Sequence, residues 1–267
     1  PCFDQPDLKA TFKLKVHAPA HWQMVSSVRE TGTTADGEMR VWDFPTSALM
    51  SSYLISLHGG EYTVFEDKDF RYPLRLFVRQ SLAHYVNAPQ WFAWTRQGFD
   101  FYDEYFALPY PFKKYDQLIV PDYNSGAMEN IAAVTFNEYF ISRGEATRRE
   151  RWGTNSVILH EMAHMWFGDI ATMAWWNGLW LNESFATVMA ALAQDHVGEF
   201  KESWLEFFIE DKQWAYAEDQ LVTTHPIEVP VDDTDVAFTN FDGITYGKGA
   251  SVLKQLRALL GDEVFRD

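Results

Sequence analysis

From Ser156 to Asp169 the chain reads SVILHEMAHMWFGD, an apolar run with two histidines and a glutamate packed into its centre. Histidines four apart share one face of an α-helix, close enough for two imidazoles to grip one ion. Imidazole nitrogen suits zinc, and a catalytic zinc site takes three protein ligands and leaves a fourth position for water. His160 and His164 are therefore candidate ligands of one Zn2+ per chain. Glu161 points about 100° further round the helix. That direction keeps it off the ion but within reach of a water there, so Glu161 is the candidate general base. Two acidic residues downstream could supply the third ligand. Asp169 stands five residues beyond His164, off the shared face and past the glycine expected to end the helix. Glu183 stands in LWLNESFATVMAALAQ, an apolar helical run where a charge needs a reason. A carboxylate on a second packed helix can complete the set, and Glu183 is the expected ligand.

The elements that must position these groups change character along the chain. Up to about residue 70 the patterns are those of strands: TFKLKVHAP, RVWDFPTS and SYLISLHGGEYTVFED alternate, with turns such as TGTTADGE between them. PLRLFVRQ and YDQLIVPDY are further strands, and NSGAMENIAAVTFNEYF reads as a turn followed by a strand. APQWFAWTRQGFDFYDEYFAL spaces its aromatics as a helix does and runs into the proline stop of PYPF. After Thr147 the pattern is mostly helical, around 150–168, 183–197, 199–220 and 246–260. Strands first and helices later predict an α+β arrangement. A β-rich part is expected over 1–70 and the catalytic part over 71–267.

Composition narrows the function classes. A 267-residue chain with 47% hydrophobic residues is globular. Its net charge of −16 and the absence of a basic cluster argue against a nucleic-acid partner. The one short basic run, Arg148–Arg151, reads as a solvated helix face. A single cysteine, Cys2, allows no intrachain disulfide, and with the acidity it suggests the cytoplasm. No apolar run approaches the roughly 18 residues that cross a membrane. The opening PCFDQPDLKATF and the closing ALLGDEVFRD read as the middle of a longer protein.

HExxH with eighteen residues before Glu183 resembles the gluzincin metallopeptidases, specifically the aminopeptidase N family. GAMEN at Gly126–Asn130, FDGITYGKGA at Phe241–Ala250 and PCFDQPDLKATF at the start agree in order and spacing over essentially the whole chain. The resemblance implies a β-rich amino-terminal domain followed by a thermolysin-like catalytic domain, both partial here. It implies a zinc metalloaminopeptidase of the membrane alanyl aminopeptidase kind, acting on peptides with a free amino terminus. It assigns Glu129 to the substrate ammonium, where charge-assisted hydrogen bonds are about twice as strong as neutral ones. Gly126, Ala127 and Met128 would lie along the substrate backbone like a strand edge, and Ser125 would line the first side-chain pocket. Tyr246 matches the family's transition-state tyrosine, whose phenol donates to the developing oxyanion.

Two departures are visible: Gln5 where an acidic residue is commoner, and Ser184 in place of a frequent glycine. A further amine-binding residue of the family would lie upstream of this chain. Two other readings share the fold. An epoxide hydrolase of the leukotriene-hydrolase branch usually carries GGMEN, so Ala127 favours a peptidase. A metal-free binding scaffold would typically lack a ligand or the base, and all four of those residues are present.

Overall fold

The computed structural model describes residues 3–267; Pro1 and Cys2, the first two residues of the PCFD motif, lie outside the described residues. The described strands are β1 (Lys9–Ala10), β2 (Leu14–Pro19), β3 (Gln23–Ser26), β4 (Gly32–Asp36), β5 (Met39–Phe44), β6 (Met50–Ser51), β7 (Leu57–Gly60), β8 (Tyr62–Asp67), β9 (Leu74–Arg79), β10 (Tyr115–Val120), β11 (Ala127–Met128) and β12 (Ala133–Asn137). The helices are α1 (Ala88–Phe106), α2 (Arg148–His164), α3 (Leu179–Val197), α4 (Ser203–Phe207), α5 (Gln213–Asp219), α6 (Thr234–Thr239), α7 (Gly249–Leu260) and α8 (Asp262–Arg266). Strands dominate the first half and helices the second, so the architecture is α+β, β-rich at its amino-terminal side. The chain divides into two compact units, with dividing points inside α1 and α2.

The first unit takes Leu8–Arg96 and Tyr110–Thr154. Its main sheet has the order β11-β12-β10-β9-β8, parallel through β9, β10 and β12 and antiparallel at both edges. β9 and β10 are buried along almost their whole length, as expected of central parallel strands covered on both faces. Phe77 and Leu118 from these strands pack with Val25 and Ala133. A three-stranded sheet, β2-β5-β4, and the pairs β3-β7 and β1-β6 complete the β structure. The expected boundary near residue 70 falls in the turn joining β8 to β9, which are hydrogen-bonded neighbours.

A fully buried ionic network sits under the main sheet. Lys114 Nζ donates to Asp116 (2.7 Å), to the Ser26 carbonyl (2.7 Å) and to the Ala132 carbonyl (2.6 Å). Arg75 closes on the other side of Asp116 with two bonds of 2.8 and 2.5 Å. All three ammonium protons of the buried lysine are thereby satisfied, which is what makes such a charge tolerable in the interior.

The second unit takes Phe3–Asp7, Gln97–Pro109 and Asn155–Asp267. α3 is buried over most of its length, apolar on nearly every side, and so belongs at the centre of a helical layer. It ends at Gly198, left-handed at φ 76°, whose N–H reaches the Gln194 carbonyl. Gly98 on α1 lets Leu159 and Met162 of α2 approach; a Cβ there would lie 2.6 Å from Leu159 Cδ2. Tyr102 Oη donates to the Leu159 carbonyl at 2.9 Å, and Trp166 Nε1 to the Leu108 carbonyl at 2.8 Å.

Four local expectations are corrected. TGTTADGE is not a turn: Gly32–Asp36 forms β4 along β5, and only Gly37, at φ 61°, reverses the chain. β4 is exposed along its whole length, so it carries no apolar alternation to read. The run SYLISLHGGEYTVFED is not one strand but a 3-10 turn over Ser52–Leu54 and two strands. β7 pairs with β3, whereas β8 pairs with β9. The helix expected over 199–220 begins only at Ser203 and runs without a gap to Asp219, with a π-helical turn at Phe208–Lys212 between α4 and α5; α7 likewise begins after a π-helical turn at Ile244–Lys248. The helix expected to continue to residue 168 ends at His164.

Candidate metal centre

α2 begins with reciprocal capping. Glu150 N–H donates to Thr147 Oγ1 at 3.2 Å, and the Glu150 carboxylate accepts from Thr147 N–H at 2.7 Å. This T-x-x-E box satisfies free donors at an exposed end. The Arg148–Arg151 run is exposed in that first turn, as expected. From Trp152 onward the helix is progressively buried, so His160, Glu161 and His164 arrive on its inner part. The end at His164 is set by the backbone. Gly168 at φ 131° turns the chain back, and Asp169 N–H then reaches the His164 carbonyl at 3.0 Å. A side chain at Gly168 would meet Asn182 on α3 at 3.1 Å.

Three donor atoms converge there. His160 Nε2 lies 3.1 Å from Glu183 Oε2 and 3.1 Å from His164 Nε2, and His164 Nε2 lies 3.3 Å from the same carboxylate oxygen. A tetrahedral zinc with ligand distances near 2.0–2.1 Å separates its ligand atoms by about 3.3 Å. The triangle therefore has the edge lengths and the N, N, O chemistry that this ion takes. Asp169, the other candidate, is buried in the turn after α2 and is not among the donors that cluster here.

The imidazoles are oriented from behind. His164 Nδ1 lies 3.0 Å from the Phe167 carbonyl, an acceptor, so Nδ1 keeps its proton and Nε2 is the nitrogen that can give up its own and turn a lone pair to the triangle. Thr187 Oγ1, one turn beyond Glu183 on α3, stands 3.5 Å from His160 Nδ1. Neither partner is legible as functional from the sequence alone, although the four-residue spacing from Glu183 puts Thr187 on the same helical face. Burial drives the His160 imidazole below its ordinary value, against the opposing pull of Glu183. Burial alone would raise the Glu183 carboxyl; the charge of His164 and the hydrogen bonds from both imidazoles outweigh it and hold Glu183 well below the usual carboxylate range.

Glu161 is buried, with a carboxylate oxygen within 4.8 Å of a His164 ring nitrogen. Tyr246 comes from the π-helical turn before α7, its ring stacked on His160 with centroids 5.9 Å apart and planes 17° from parallel. The turn and the start of α7 fit against the Phe208–Lys212 turn and α3 through glycines. A Cβ at Gly249 would lie 1.9 Å from Ser184 Oγ, and one at Gly247 would lie 2.2 Å from the Asp211 carbonyl oxygen. Ser184, where the family often has glycine, donates through Oγ to the Thr245 carbonyl at 2.6 Å.

The GAMEN residues belong to the first unit. Ala127 and Met128 form β11, opposite Phe136 and Thr135 of β12, and β11 is an edge of the main sheet. Among the described residues no strand pairs with its outer side. Gly126 accepts Asn137 N–H at 2.8 Å, Ser125 is exposed, and Glu129 is buried. Asn130 is pinned through its side chain to the Leu54 carbonyl at 3.2 Å and to Thr135 Oγ1 at 2.9 Å.

Comparison with known proteins adds an independent line. Residues 92–267 match the Peptidase family M1 domain, and residues 1–54 match the Peptidase M1 N-terminal domain. Aminopeptidase N of Streptomyces lividans is 47% identical over 98% of this chain and 31% of its own length. Probable aminopeptidase 1 of Sulfurisphaera tokodaii is 37% identical over all of this chain and 34% of its own. Leucyl aminopeptidase of Saccharolobus solfataricus is 33% identical, again over all of this chain and 34% of its own. The chain thus spans about a third of the length of these curated relatives. Since the domain match runs from α1 to the final residue and takes in both helices of the donor triangle, the chain belongs to peptidase family M1.

Proposed function

We propose that this chain forms the catalytic part of a zinc aminopeptidase, which removes amino-terminal residues from peptides with a free amino group. The observation that carries the reading is the buried triangle of His160, His164 and Glu183 with Glu161 beside it. These three residues would hold one Zn2+ per chain. When bound, zinc supplies a Lewis acid toward the scissile carbonyl and lowers the pKa of water.

Glu161 takes the proton of the attacking water on its carboxylate and passes it to the leaving amine. Its burial beside the donors keeps that carboxylate away from competing solvent. Tyr246 donates its phenol proton to oxygen as negative charge develops there. Glu129 binds the substrate ammonium and fixes the register, so one residue leaves per cycle. The outer edge of β11 offers Gly126, Ala127 and Met128 to the peptide backbone, and Ser125 borders the pocket for the first side chain. Ala127 favours this reading over epoxide hydrolysis. Residues 1–70 end a β-rich amino-terminal domain in this reading, and 71–267 form the catalytic domain. By motif the enzyme class is that of the membrane alanyl aminopeptidases. No helix among the described residues is long and apolar enough to cross a membrane; the cytoplasm is proposed from acidity and sparse cysteine.

The test uses the full-length protein and an aminoacyl reporter amide, with free and with blocked amino groups. Glu161→Gln is expected to lower kcat by at least about 1,000-fold while zinc stays near one per chain. Blocking the amine should abolish cleavage by the wild type. An active Glu161→Gln protein removes the general-base role, and equal cleavage of the blocked substrate makes the enzyme an endopeptidase.

A further inference from the structure

The turn that carries Tyr246 is held by a clamp that reaches from Asp242 of the FDGITYGKGA stretch to residues outside every motif and outside the donor triangle. Ile244–Lys248 is π-helical, so its first amides have no acceptor within the turn. Asp242 supplies one. Its Oδ1 accepts from both Ile244 N–H and Thr245 N–H, each at 3.0 Å, and its backbone carbonyl accepts from Tyr246 N–H at 3.0 Å. The remaining oxygen, Oδ2, takes a hydrogen bond of 2.6 Å from His225 Nε2. The other ring nitrogen of His225, Nδ1, stands 2.7 Å from the Pro226 carbonyl, so the ring is seated between the carboxylate and its own neighbour's backbone. A second carboxylate braces the same place: Glu218 accepts Gly243 N–H at 2.6 Å and Trp214 Nε1–H at 2.6 Å, and the Trp214 ring packs on Tyr246 with centroids 5.8 Å apart.

We infer that His225 and Asp242 are positioning residues for Tyr246. A capping carboxylate held only by two amides can rotate about its Cβ–Cγ bond; with Oδ2 tied to the seated imidazole it cannot. The orientation of Asp242 sets the entry of the π-helical turn, and that entry sets where the Tyr246 phenol stands against His160. His225 and Asp242 are partly buried, with side-chain exposures of 18% and 22%, and His225 comes from the irregular segment between α5 and α6. The clamp thus makes that segment part of the catalytic geometry. Neither residue need touch substrate. The inference rests on the role proposed above for Tyr246.

The experiment is a double-mutant comparison in the full-length, zinc-loaded protein, reading kcat and KM on an alanyl reporter amide, zinc content, and amide hydrogen exchange at residues 244–246. His225→Ala is expected to lower kcat about tenfold with KM within about twofold and zinc unchanged. It should also speed exchange at Ile244 and Thr245. His225→Gln, which keeps an N–H donor at the Nε2 position, should recover most of the loss, whereas His225→Asn should not. In a Tyr246→Phe background, His225→Ala should cost nothing further, because the group it positions has gone. Full activity of His225→Ala, or the same fractional loss in both backgrounds, overturns the inference while leaving the Tyr246 role intact. An unimpaired Tyr246→Phe enzyme instead overturns the Tyr246 role itself and takes this inference with it.

Discussion

Glu183 is a carboxylate on an almost wholly apolar helix, and its surroundings explain why it can stay charged there. It is held by two imidazoles on a neighbouring helix, and those imidazoles are themselves aimed by the Phe167 carbonyl and Thr187. Replacing it with glutamine keeps the volume but removes the anionic donor. Glu183→Gln is expected to weaken zinc affinity by at least about 100-fold, read by chelator competition, with activity restored only at raised zinc concentration. At this scale the sequence is unevenly legible. The two histidines could be read from their spacing, because four residues return to the same helical face. The choice between Asp169 and Glu183 turns on the course of the chain after the helix, which Gly168 decides through its positive φ. The partners of the ring nitrogens are a carbonyl and a hydroxyl, groups that any stretch of chain contains. Local pattern cannot single them out.

Among the elements, α2 and the turn before α7 carry opposite lessons. The capping box of α2 can be read directly from Thr147 and Glu150. Thr147→Ala is expected to lower Tm by roughly 2–4 °C in a thermal melt with kcat unchanged, because the frayed end is exposed and far along the helix from His160. The π-helical turns at Phe208–Lys212 and Ile244–Lys248 were invisible, since a search for a 3.6-residue repeat joins the helices on either side into one. In the second of them Gly247 is the one trace; the first, FIEDK, contains no glycine. At Gly247 a methyl group would strike the Asp211 carbonyl oxygen, and a backbone atom cannot swing aside. Gly247→Ala should therefore displace the Tyr246 turn. Its expected signature is a loss of about 1–3 kcal/mol in denaturant unfolding together with a kcat loss of about tenfold or more. β4 failed to register for the related reason that an exposed edge strand is fixed by its backbone ladder with β5 and not by buried side chains.

At the level of the whole molecule, the order of strands and helices was legible, but the interleaving of the two units within α1 and α2 was not, because a helix shows no change of pattern where its neighbours change. The buried network beneath the main sheet also gives the protein a pH dependence. His58, hydrogen-bonded near Thr135, is pushed down from 6.5 to about 4, first by burial and then by the charge of Lys114, with Asp116 opposing. Between those two values the unfolded chain binds a proton that the folded chain refuses. Stability contributed by the neutral ring is therefore complete above about pH 6.5 and drains away as pH falls toward 4, by on the order of 2–3 kcal/mol. Urea unfolding across that window should show the slope, and His58→Gln should flatten it. The close of α2 has a different consequence. With Asp169 N–H returned to the His164 carbonyl and Gly168 seated against Asn182, the donor-bearing turn is locked by protein contacts alone. Chelation should leave a stripped enzyme whose far-ultraviolet spectrum is unchanged. Adding zinc back should revive it within the mixing time, because recharging such a preassembled socket calls for no refolding.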